Sequence, residues 1–488
     1  MADSYSYGRL LLLIGVVGIV AVLSNRITAR LRVPAPALML AAAAIAVQLV
    51  PSLHAPTELS VDHLVTVALI LILFDGGMHI GWSRFRQAAG SIAIVGVAGT
   101  FLTTAGAALF LHLAVGLDWY PALLVATAVA PTDPAVVFAV LGQRQIGGNS
   151  GTILEGESGA NDPVGIALMA SLLAAGGLSG SAFGQVSGEF VLQLGVGGLV
   201  GLVGGAGLRW FVQRVQLPSE GLYPLRTLAC ALGLFGIATL AHGSGFLAVF
   251  VAGISIGDAR APYKREIVLF HSAASSLGEI VAFVVLGLTV RLSDLSRADV
   301  WIPGLLLALV LTLVVRPLVV GGCLLGSGLN RGERGFIVFS GLKGAVPILL
   351  GSFLLGAHLA SAERLYGIVV IVVVFSVVVQ GSLLPTAARL LRVPMRTVEP
   401  EPWALGVRLR DEPAGVHRLT VRAGSSADGR SIGDLDELPD DAWVSFVVRA
   451  GQLVAVSGQT VLQAGDYVLV LADPTAATEL TALFDSSS

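Results

Sequence analysis

Ionisable side chains stand inside long apolar stretches of this chain, where a charge is costly and marks a functional position by default. Five acids lie inside or at the edge of such stretches: Asp75, Asp133, Glu157, Asp162 and Glu279. Two bases do so as well, Arg316 and Lys343. If each base neutralises one acid, a surplus of carboxylates remains. Carboxylate oxygens bind both hard cations and protons, so this surplus predicts a site that exchanges one for the other.

The segment Glu155-Gly-Glu-Ser-Gly-Ala-Asn-Asp-Pro163 is the richest in such groups. Residues four apart share a helix face, so Glu157 is expected beside Asn161, and Ser158 beside Asp162. Pro163 removes a backbone donor and predicts a distorted helix at this point. Asp162 is therefore the first candidate for a carboxylate that carries a cation or a proton.

Two prolines flank Thr132 and Asp133 in Ala130-Pro-Thr-Asp-Pro-Ala-Val136. They predict either an unwound crossing, which presents backbone carbonyls and half-helix ends to a cation, or a kinked helix capped by Asp133. If spans one to six and eight to thirteen are inverted repeats, this fifth span matches the twelfth. The twelfth contains Ser340-Gly-Leu-Lys-Gly-Ala-Val-Pro-Ile348, which is also polar and broken by Gly and Pro. Paired interrupted spans predict a transporter site at mid-membrane.

Asp75, in Leu73-Phe-Asp-Gly-Gly77, falls at the cytoplasmic end of the third span. It could line the cation path. It could equally pair with Arg84 or Arg86 at the surface, and the sequence leaves both possibilities open.

The remaining charges are expected to stabilise the fold. Lys343 would place a positive charge beside the crossing, where we expect it to neutralise Glu157. Glu279 and Arg316 are expected to be structural partners and not transport ligands.

The elements that must position these groups are membrane helices. The chain has 488 residues, of which 55% are hydrophobic and 12% charged, and its mean hydropathy is +0.84. Soluble proteins carry about 25% charged residues. Apolar runs able to span the roughly 30 Å hydrocarbon core recur from Leu10 to Leu391 and predict an all-α polytopic membrane protein with about thirteen spans. The clearest runs are Leu10–Leu23, Ala35–Val50, Leu64–Phe74, Ser91–Gly116, Phe190–Leu208, Leu225–Ala241, Ile280–Val290, Ile302–Leu325 and Tyr366–Leu384.

Arginine and lysine placement predicts the orientation. They concentrate in one set of alternating loops, whereas the opposite set holds only Arg9, Arg291, Arg297 and Arg364. The positive-inside rule places the rich set in the cytoplasm. The N-terminus is then outside and the C-terminus inside. The net charge of −3 argues against a nucleic-acid partner.

A second domain follows the last span. The composition changes at Val393–Pro402, which predicts a transmembrane domain over 1–395 and a cytoplasmic domain over 403–488. The latter has six basic and twelve acidic residues, a net charge of −6. Strands are predicted at 444–448, 453–456 and 467–471, with a hairpin turn at Gly451, and short helices at 431–438 and 474–484. This is a small α+β domain.

These motifs resemble a known family. Pro131-Thr-Asp-Pro134, the Glu157-Ser-x-x-Asn-Asp162 run and Gly341-Leu-Lys-Gly-Ala-Val346 are similar to motifs of the monovalent cation/proton antiporters of the NhaP/NHE family. The C-terminal stretch resembles the TrkA-C domain of ligand-sensing potassium regulators, through Gly429-Arg-Ser-Ile432, the strand ending at Arg449, and Gly465-Asp466. Antiporters with this tail look like the bacterial potassium/proton branch.

The resemblance implies a homodimer in the bacterial inner membrane, with a scaffold and a mobile six-helix core. It implies that Asp162 binds cation or proton, with Ser158, Asp133 and the Thr132 carbonyl as further ligands and an acid near Asp75. The transported ions would be K⁺, or Na⁺, and H⁺, and the activity would serve pH homeostasis. No cofactor is expected, although the tail could bind a small regulatory ligand such as a nucleotide.

The resemblance also implies a structural network of Glu157 and Asn161 tied to a basic residue in the later broken span. The family usually has arginine where Lys343 stands. Lysine is a point charge and lacks the bidentate geometry of arginine.

Two other classes of protein compete with a secondary antiporter. Gly156-Glu-Ser-Gly159 fits the Gly-x-Ser-Gly string of intramembrane serine proteases, but the neighbouring acids would crowd the serine and no paired histidine helix is evident. The tail suggests a ligand-gated channel, yet the sequence contains no Thr-Val-Gly-Tyr-Gly filter. Antiport, as K⁺/H⁺ or alternatively Na⁺/H⁺ exchange, is the leading hypothesis.

Overall fold

A computed structural model describes residues 15, 18–19, 35–49, 58–141, 144–146, 149–178, 182–357, 359, 361–397, 415–435, 438–439 and 442–485. Its contacts divide the chain into two compact units, Met1–Pro400 and Glu401–Ser488. The predicted span Leu10–Leu23 lies almost wholly outside the described residues.

The first unit is a bundle of helices that follow the apolar runs. Their bounds are α1 Ala35–Leu49, α2 Glu58–Ala93, α3 Gly99–Phe110, α4 Trp119–Val129, α5 Pro134–Leu141, α6 Asn149–Ala175, α7 Ala182–Arg214, α8 Leu222–Leu240, α9 Gly245–Gly257, α10 Lys264–Leu288, α11 Leu292–Leu295, α12 Ala298–Val310, α13 Arg316–Cys323, α14 Arg331–Phe339, α15 Ala345–Gly356, α16 Ala362–Val374 and α17 Gly381–Leu390. Turns of π-helix join α2 to α3, α12 to α13 and α16 to α17, and another follows α3.

Within the described residues, six helical segments are long and apolar enough to cross a membrane. One of them, Val61–Val115, has 55 residues. At 1.5 Å per residue it is about 80 Å long, far more than the roughly 30 Å hydrocarbon core. It bends at Gly81, where φ is +65°, and so supplies two crossings. The total of thirteen spans stays a prediction.

The helices α2 and α9 meet along a seam of glycines. A methyl group at Gly77 would overlap the Phe250 carbonyl oxygen, and one at Gly253 would overlap the Phe74 carbonyl oxygen. One turn on, Gly257 faces Gly81 in the same way. Small residues let membrane helices approach to backbone contact, so this seam joins the two helices firmly.

The two predicted interruptions are present and touch each other. Residues 130–133 between α4 and α5 are not helical, and neither are residues 340–344 between α14 and α15. The Asp133 amide donates a hydrogen bond to the Leu342 carbonyl at 2.8 Å. The two unwound segments therefore cross and satisfy part of each other's backbone, as mid-membrane peptides must.

The expected distortion at Pro163 is not found. The helix α6 runs without interruption through this residue. Close packing encloses it, because a methyl group at Gly156 would overlap Ile92 and one at Gly159 would overlap Phe250. Neighbouring helices thus pack tightly on the two turns of α6 that precede Pro163, which favours a continuous helix despite the missing backbone donor.

A two-stranded antiparallel sheet joins distant parts of the first unit. Strand β1, Arg144–Ile146, follows α5, and strand β2, Met395–Thr397, follows α17. In their register Gln145 lies opposite Arg396. The chain leaving the last membrane helix is therefore paired with the segment that follows the first crossing.

The second unit contains an antiparallel sheet in the order β3-β6-β4-β5. The strands are β3 Val416–Thr420, β4 Trp443–Arg449, β5 Gln452–Val454 and β6 Tyr467–Leu471, and helix α18, Ala477–Asp485, packs on the sheet. Ala450 and Gly451 both have positive φ, 49° and 79°, as a two-residue hairpin of primed type requires. The three predicted strands and the turn are confirmed, whereas β3 was missed. In the predicted helix 431–438, the described residues show only a 3₁₀ turn, Ile432–Asp434.

An ion pair links the end of β4 to the residue before β6, at one end of the two central strands. The Arg449 guanidinium donates to both Asp466 carboxylate oxygens, at 2.9 and 2.8 Å, and the Gln463 amide donates to the same carboxylate at 2.9 Å. Burial acts to raise the pKa of Asp466, but these hydrogen bonds and the positive charge of Arg449 together hold the pKa below its usual range. Asp466 is therefore ionised in the folded domain at neutral pH.

Candidate functional site

Asp162 is buried beside the crossing. It lies on α6 and is only 6% exposed. Its Oδ1 atom has no hydrogen-bond partner among the described residues. The charges that act on its carboxylate are those of Asp133 and Lys343, and the Ser158 side chain lies one helical turn before it on the same face of α6. A buried carboxylate oxygen without a donor is costly and is expected to accept a ligand.

Three hydrogen bonds between α6 and the unwound residue Thr132 fix its position. The Ser158 hydroxyl donates to the Thr132 carbonyl at 2.6 Å, and the Asn161 amide donates to the Thr132 hydroxyl at 2.7 Å. In return the Thr132 backbone amide donates to the Asn161 side-chain oxygen at 3.3 Å. The Asn161 side chain therefore forms its hydrogen bonds with the crossing. It forms none with Glu157, the residue that helical spacing placed beside it, among the bonds of the described residues.

Lys343 lies at the end of the half-helix α4. Its Nζ donates to the Ala130 carbonyl at 2.9 Å and to the Pro131 carbonyl at 3.1 Å. These are carbonyls left unpaired where α4 ends, at the negative end of the helix dipole. The predicted pairing of Lys343 with Glu157 is wrong. Lysine can cap both carbonyls because its ammonium group carries three N–H donors on a flexible stem.

Glu157 pairs instead with Arg316. The guanidinium donates to Glu157 at 2.8 Å and 3.4 Å, and both side chains are only 3% exposed. Arg316 also donates to the carbonyls of Val338 and Ile337, at 3.0 and 3.2 Å. Gly341 makes room for this, since a methyl group there would overlap the guanidinium. The structural role expected of Arg316 fits these contacts, but its partner is not Glu279.

Asp75 has neither of the arginine partners considered for it. Its carboxylate lies 3.3 Å from His79 Nδ1 and accepts a hydrogen bond from the Ser272 hydroxyl at 3.2 Å. Arg84 donates to the His79 carbonyl. Asp75 is 9% exposed, so this acid faces the interior of the bundle.

Ser376 and Gln380 support the second crossing, which the sequence analysis did not anticipate. Ser376 accepts a hydrogen bond from the Lys343 backbone amide at 2.9 Å and donates to Gln380 at 3.1 Å. Gln380 in turn donates to the Phe339 carbonyl at 2.6 Å. The signal was available, because these are two polar residues four apart within an otherwise apolar run.

A cavity of about 800 Å³ opens at the far end of α10 from Ser272. Its polar lining includes Asp62, Thr289, Asp294, Glu363 and Tyr366. The Thr289 and Tyr366 hydroxyls are hydrogen-bonded at 2.6 Å and link α10 to α16. Asp162 does not line this cavity.

The arrangement can bind a cation or a proton but is unsuited to nucleophilic catalysis. Ser158 donates its hydroxyl proton to a backbone carbonyl, and no described histidine contacts it. Two broken helices crossing beside an unpartnered carboxylate, with carbonyl and hydroxyl oxygens around it, define a secondary transporter of small cations.

Comparisons with known proteins agree with this class. The family model described as "Sodium/hydrogen exchanger, transmembrane" matches residues 16–390, and the TrkA-C domain model matches residues 416–485. The K(+)/H(+) antiporter NhaP2 of Shewanella sp. (strain MR-4) is 33% identical over 99% of this chain and 85% of its own length. The low-affinity Na(+)/H(+) antiporter NhaS1 of Synechocystis sp. (strain ATCC 27184 / PCC 6803 / Kazusa) is 27% identical over 78% of this chain and 74% of its own.

A solved structure supports the fold. The sodium proton antiporter MjNhaP1 from Methanocaldococcus jannaschii superposes with a TM-score of 0.65 over 76% of this chain and 99% of its own, at 24% identity. The chain belongs to the sodium/hydrogen exchanger family and carries a C-terminal TrkA-C domain. It is a multi-pass cation/proton antiporter, a secondary transporter and not an enzyme.

Proposed function

We propose that this antiporter exchanges K⁺ for H⁺ by alternating access, with Asp162 binding either the cation or the proton. The preference for K⁺ is supported by the K(+)/H(+) antiporter name of the Shewanella relative, which matches 99% of the chain. Na⁺/H⁺ exchange is the second candidate, because the Synechocystis relative is named for it.

The unpartnered Asp162 oxygen carries the proposal. A carboxylate that is 6% exposed and lacks a donor for Oδ1 gains most from a bound cation or proton. Oxygen atoms suited to a monovalent cation lie on the residues around it: the Asp133 carboxylate, the Ser158 hydroxyl and the Thr132 carbonyl. Lys343 and the positive N-terminal ends of the half-helices balance part of the negative charge when no ion is bound.

Competition at one carboxylate gives the coupling. A proton on Asp162 removes the charge that attracts the cation, and a bound cation blocks the proton. Each therefore displaces the other. The site changes from facing one side of the membrane to facing the other only with one of them bound. Because one cation replaces one proton, the exchange is expected to be electroneutral.

Flux measurements in proteoliposomes test this proposal. A pH-sensitive dye inside vesicles with an imposed proton gradient reports exchange when K⁺, Na⁺ or Li⁺ is added separately. We expect K⁺ to move protons at the lowest concentration, and Asp162→Asn to abolish the signal because an amide cannot carry the proton. Asp118→Asn is a suitable control, since Asp118 is exposed beside α4.

Each result has a defined meaning. Near-wild-type flux in folded Asp162→Asn would refute the assignment of this residue. A lower KM for Na⁺ than for K⁺ would favour the second candidate. A rate that follows an imposed membrane voltage would contradict electroneutral exchange.

We further propose that the tail, 403–488, regulates transport and does not perform it, and that 1–395 is sufficient for the ion path. All the membrane acids discussed lie in the first unit. The strand β2 connects the last membrane helix towards the tail while it is paired with β1, next to α5 and its crossing. A small cytoplasmic ligand such as a nucleotide would act through this route.

The assembly and its orientation complete the proposal. We propose a homodimer in the bacterial inner membrane, with the N-terminus outside and the tail in the cytoplasm. The arginine-rich loops on one side support this orientation. Cross-linking in membranes tests the dimer. Protease access from each side of sealed vesicles tests the orientation.

A further inference from the structure

Glu279 is a membrane acid that the network around Arg316 does not use. It lies near the middle of α10, in the candidate span Lys264–Leu288. Among the described residues, none forms a hydrogen bond or ion pair with its side chain, and the base Arg316 is paired with Glu157. A charge at this depth without a structural partner is a candidate functional group.

Polar residues run along α10 from Ser272, which contacts Asp75 on α2, to Glu279. Ser272 donates to the Asp75 carboxylate at 3.2 Å, Ser275 is buried, and Glu279 follows one turn later. Positions 272, 275 and 279 share one face of a helix. This stripe is polar within a helix whose other buried residues are mostly apolar.

Glu279 is electrostatically connected to both ends of the proposed ion path. The charges that act on its carboxylate are those of Asp133 and Asp75. Asp133 also acts on Asp162, whose Oδ1 has no partner among the described residues. Glu279 therefore lies within electrostatic range of the acid on α2 and of Asp133 at the crossing.

Packing holds Glu279 in place. A methyl group at its neighbour Gly278 would come within 3.0 Å of the Ala68 carbonyl oxygen, so α10 lies close against α2 at this level. The backbone of α10 next to Glu279 is therefore in contact with α2.

We propose that Glu279 is a further cation-coordinating residue of the transport path, contributed by α10, that binds the monovalent cation between Asp75 and the Asp133–Asp162 pair. This inference rests on the proposed exchange function. It gives a transport role to a residue that the sequence analysis assigned to structure.

Kinetics of Glu279→Gln test the proposal. We expect its KM for K⁺ to rise about tenfold, the change that ~1.4 kcal/mol of lost binding produces, while the maximal rate falls little. Glu279→Asp should restore most of the affinity. Glu189→Gln is the matched control, because Glu189 also lies on a long apolar helix, α7, but its carboxylate accepts a hydrogen bond from Gln193 at 3.0 Å.

A labelling experiment covers the case in which Glu279→Gln does not fold. Glu279→Cys is made in a chain carrying Cys230→Ser and Cys323→Ser, the only two cysteines. A cationic methanethiosulfonate reagent should modify it, and K⁺ should slow the reaction. A thiol that does not react, or whose reaction K⁺ leaves unchanged, would overturn the proposal, as would an unchanged KM in folded Glu279→Gln.

The two proposals fail in different ways. A wild-type chain without cation-driven proton flux would refute the proposed exchange itself. An active wild-type chain with a Glu279→Gln variant that matches it in KM would refute only the role of Glu279.

Discussion

The Arg316 guanidinium donates to both carboxylate oxygens of Glu157, 159 residues away in sequence, in a place where each side chain is only 3% exposed. This pair ties α13 to α6, the helix that carries Asp162. It also neutralises Arg316, one of the two bases predicted to lie in the membrane. The other base, Lys343, caps backbone carbonyls, so the carboxylates at the crossing keep an excess of negative charge.

Breaking this pair should be costly. We expect Arg316→Met to destabilise the protein by about 3–5 kcal/mol, because it leaves Glu157 charged and unpaired in the membrane. Adding Glu157→Gln should recover part of that loss in a double-mutant cycle on detergent Tm. The exposed pair of Arg297 and Asp299 is the control, where Arg297→Met should change Tm little. Strict additivity at 157 and 316 would contradict direct pairing.

Gly341 should be intolerant of even one methyl group. Gly341→Ala would displace the Arg316 guanidinium, and we expect it to lower Tm almost as far as Arg316→Met does. Gly356→Ala is the matched control, since nothing lies within 4 Å of a methyl group there. Equal Tm values for the two glycine variants would show that the space beside Gly341 is not required.

The charge of Lys343 should matter more than its shape. We expect Lys343→Met to lower Tm, because the carbonyls of Ala130 and Pro131 lose their donor, at roughly 1–3 kcal/mol for each buried group left unsatisfied. Lys343→Arg keeps the positive charge and should recover part of the loss. Combining Lys343→Met with Glu157→Gln should bring no recovery, which separates this cap from the Glu157–Arg316 pair.

The tail domain should lose stability in acid through Asp466. Its pKa is lowered in the folded state, so its contribution to stability is complete above the ordinary aspartate pKa and is lost as pH falls through the folded value. Hydrogen exchange of β6 amides in the full-length protein should show increasing opening in this range. Asp466→Asn should open more than wild type at neutral pH and vary less with pH. Parallel pH curves for the two proteins would exclude Asp466 as the cause.

Two truncations separate the tail from the β1–β2 sheet. A chain ending at Pro400 keeps β2, and we expect it to retain exchange while its dependence on cytoplasmic pH or nucleotide changes. A chain ending at Leu391 also loses β2 and should show a further change in rate, because β1 next to α5 is then unpaired. Identical kinetics of the two truncations would show that the sheet has no influence on transport. Loss of all exchange from an inserted chain ending at Pro400 would refute a purely regulatory tail.

Local chemistry determined how much of this could be predicted from the sequence. The unwound segments at Asp133 and Lys343 were predictable because prolines and glycines interrupt apolar runs there, and the two segments contact each other in the structure. The tail strands followed from alternation, but β3 was missed because Val416-His-Arg-Leu-Thr420 has a weak pattern.

The partners of the charged groups could not be predicted in the same way. The sequence offers two bases as partners for Glu157, Lys343 and Arg316. Arg316 reaches Glu157 because Gly341 leaves space for its guanidinium, and the sequence does not reveal this space. Asp75 was considered with arginines on its own segment, whereas one of its partners, Ser272, comes from α10. Such pairings depend on helix packing between distant segments, which no local spacing encodes. The same packing overcame the expected distortion at Pro163.

The glycine seam between α2 and α9 limits which parts can move during transport. Backbones that touch at Gly77, Gly253 and Gly257 leave no room for a side chain between them, so we expect α2 and α9 to move as one body that carries Asp75. Thr132 and Asp162, bound to each other's segments through Asn161 and Ser158, travel together as the crossing moves. If these two bodies shift relative to each other during transport, the number of oxygens around the cation changes, and the state with fewer oxygens is the one that releases it.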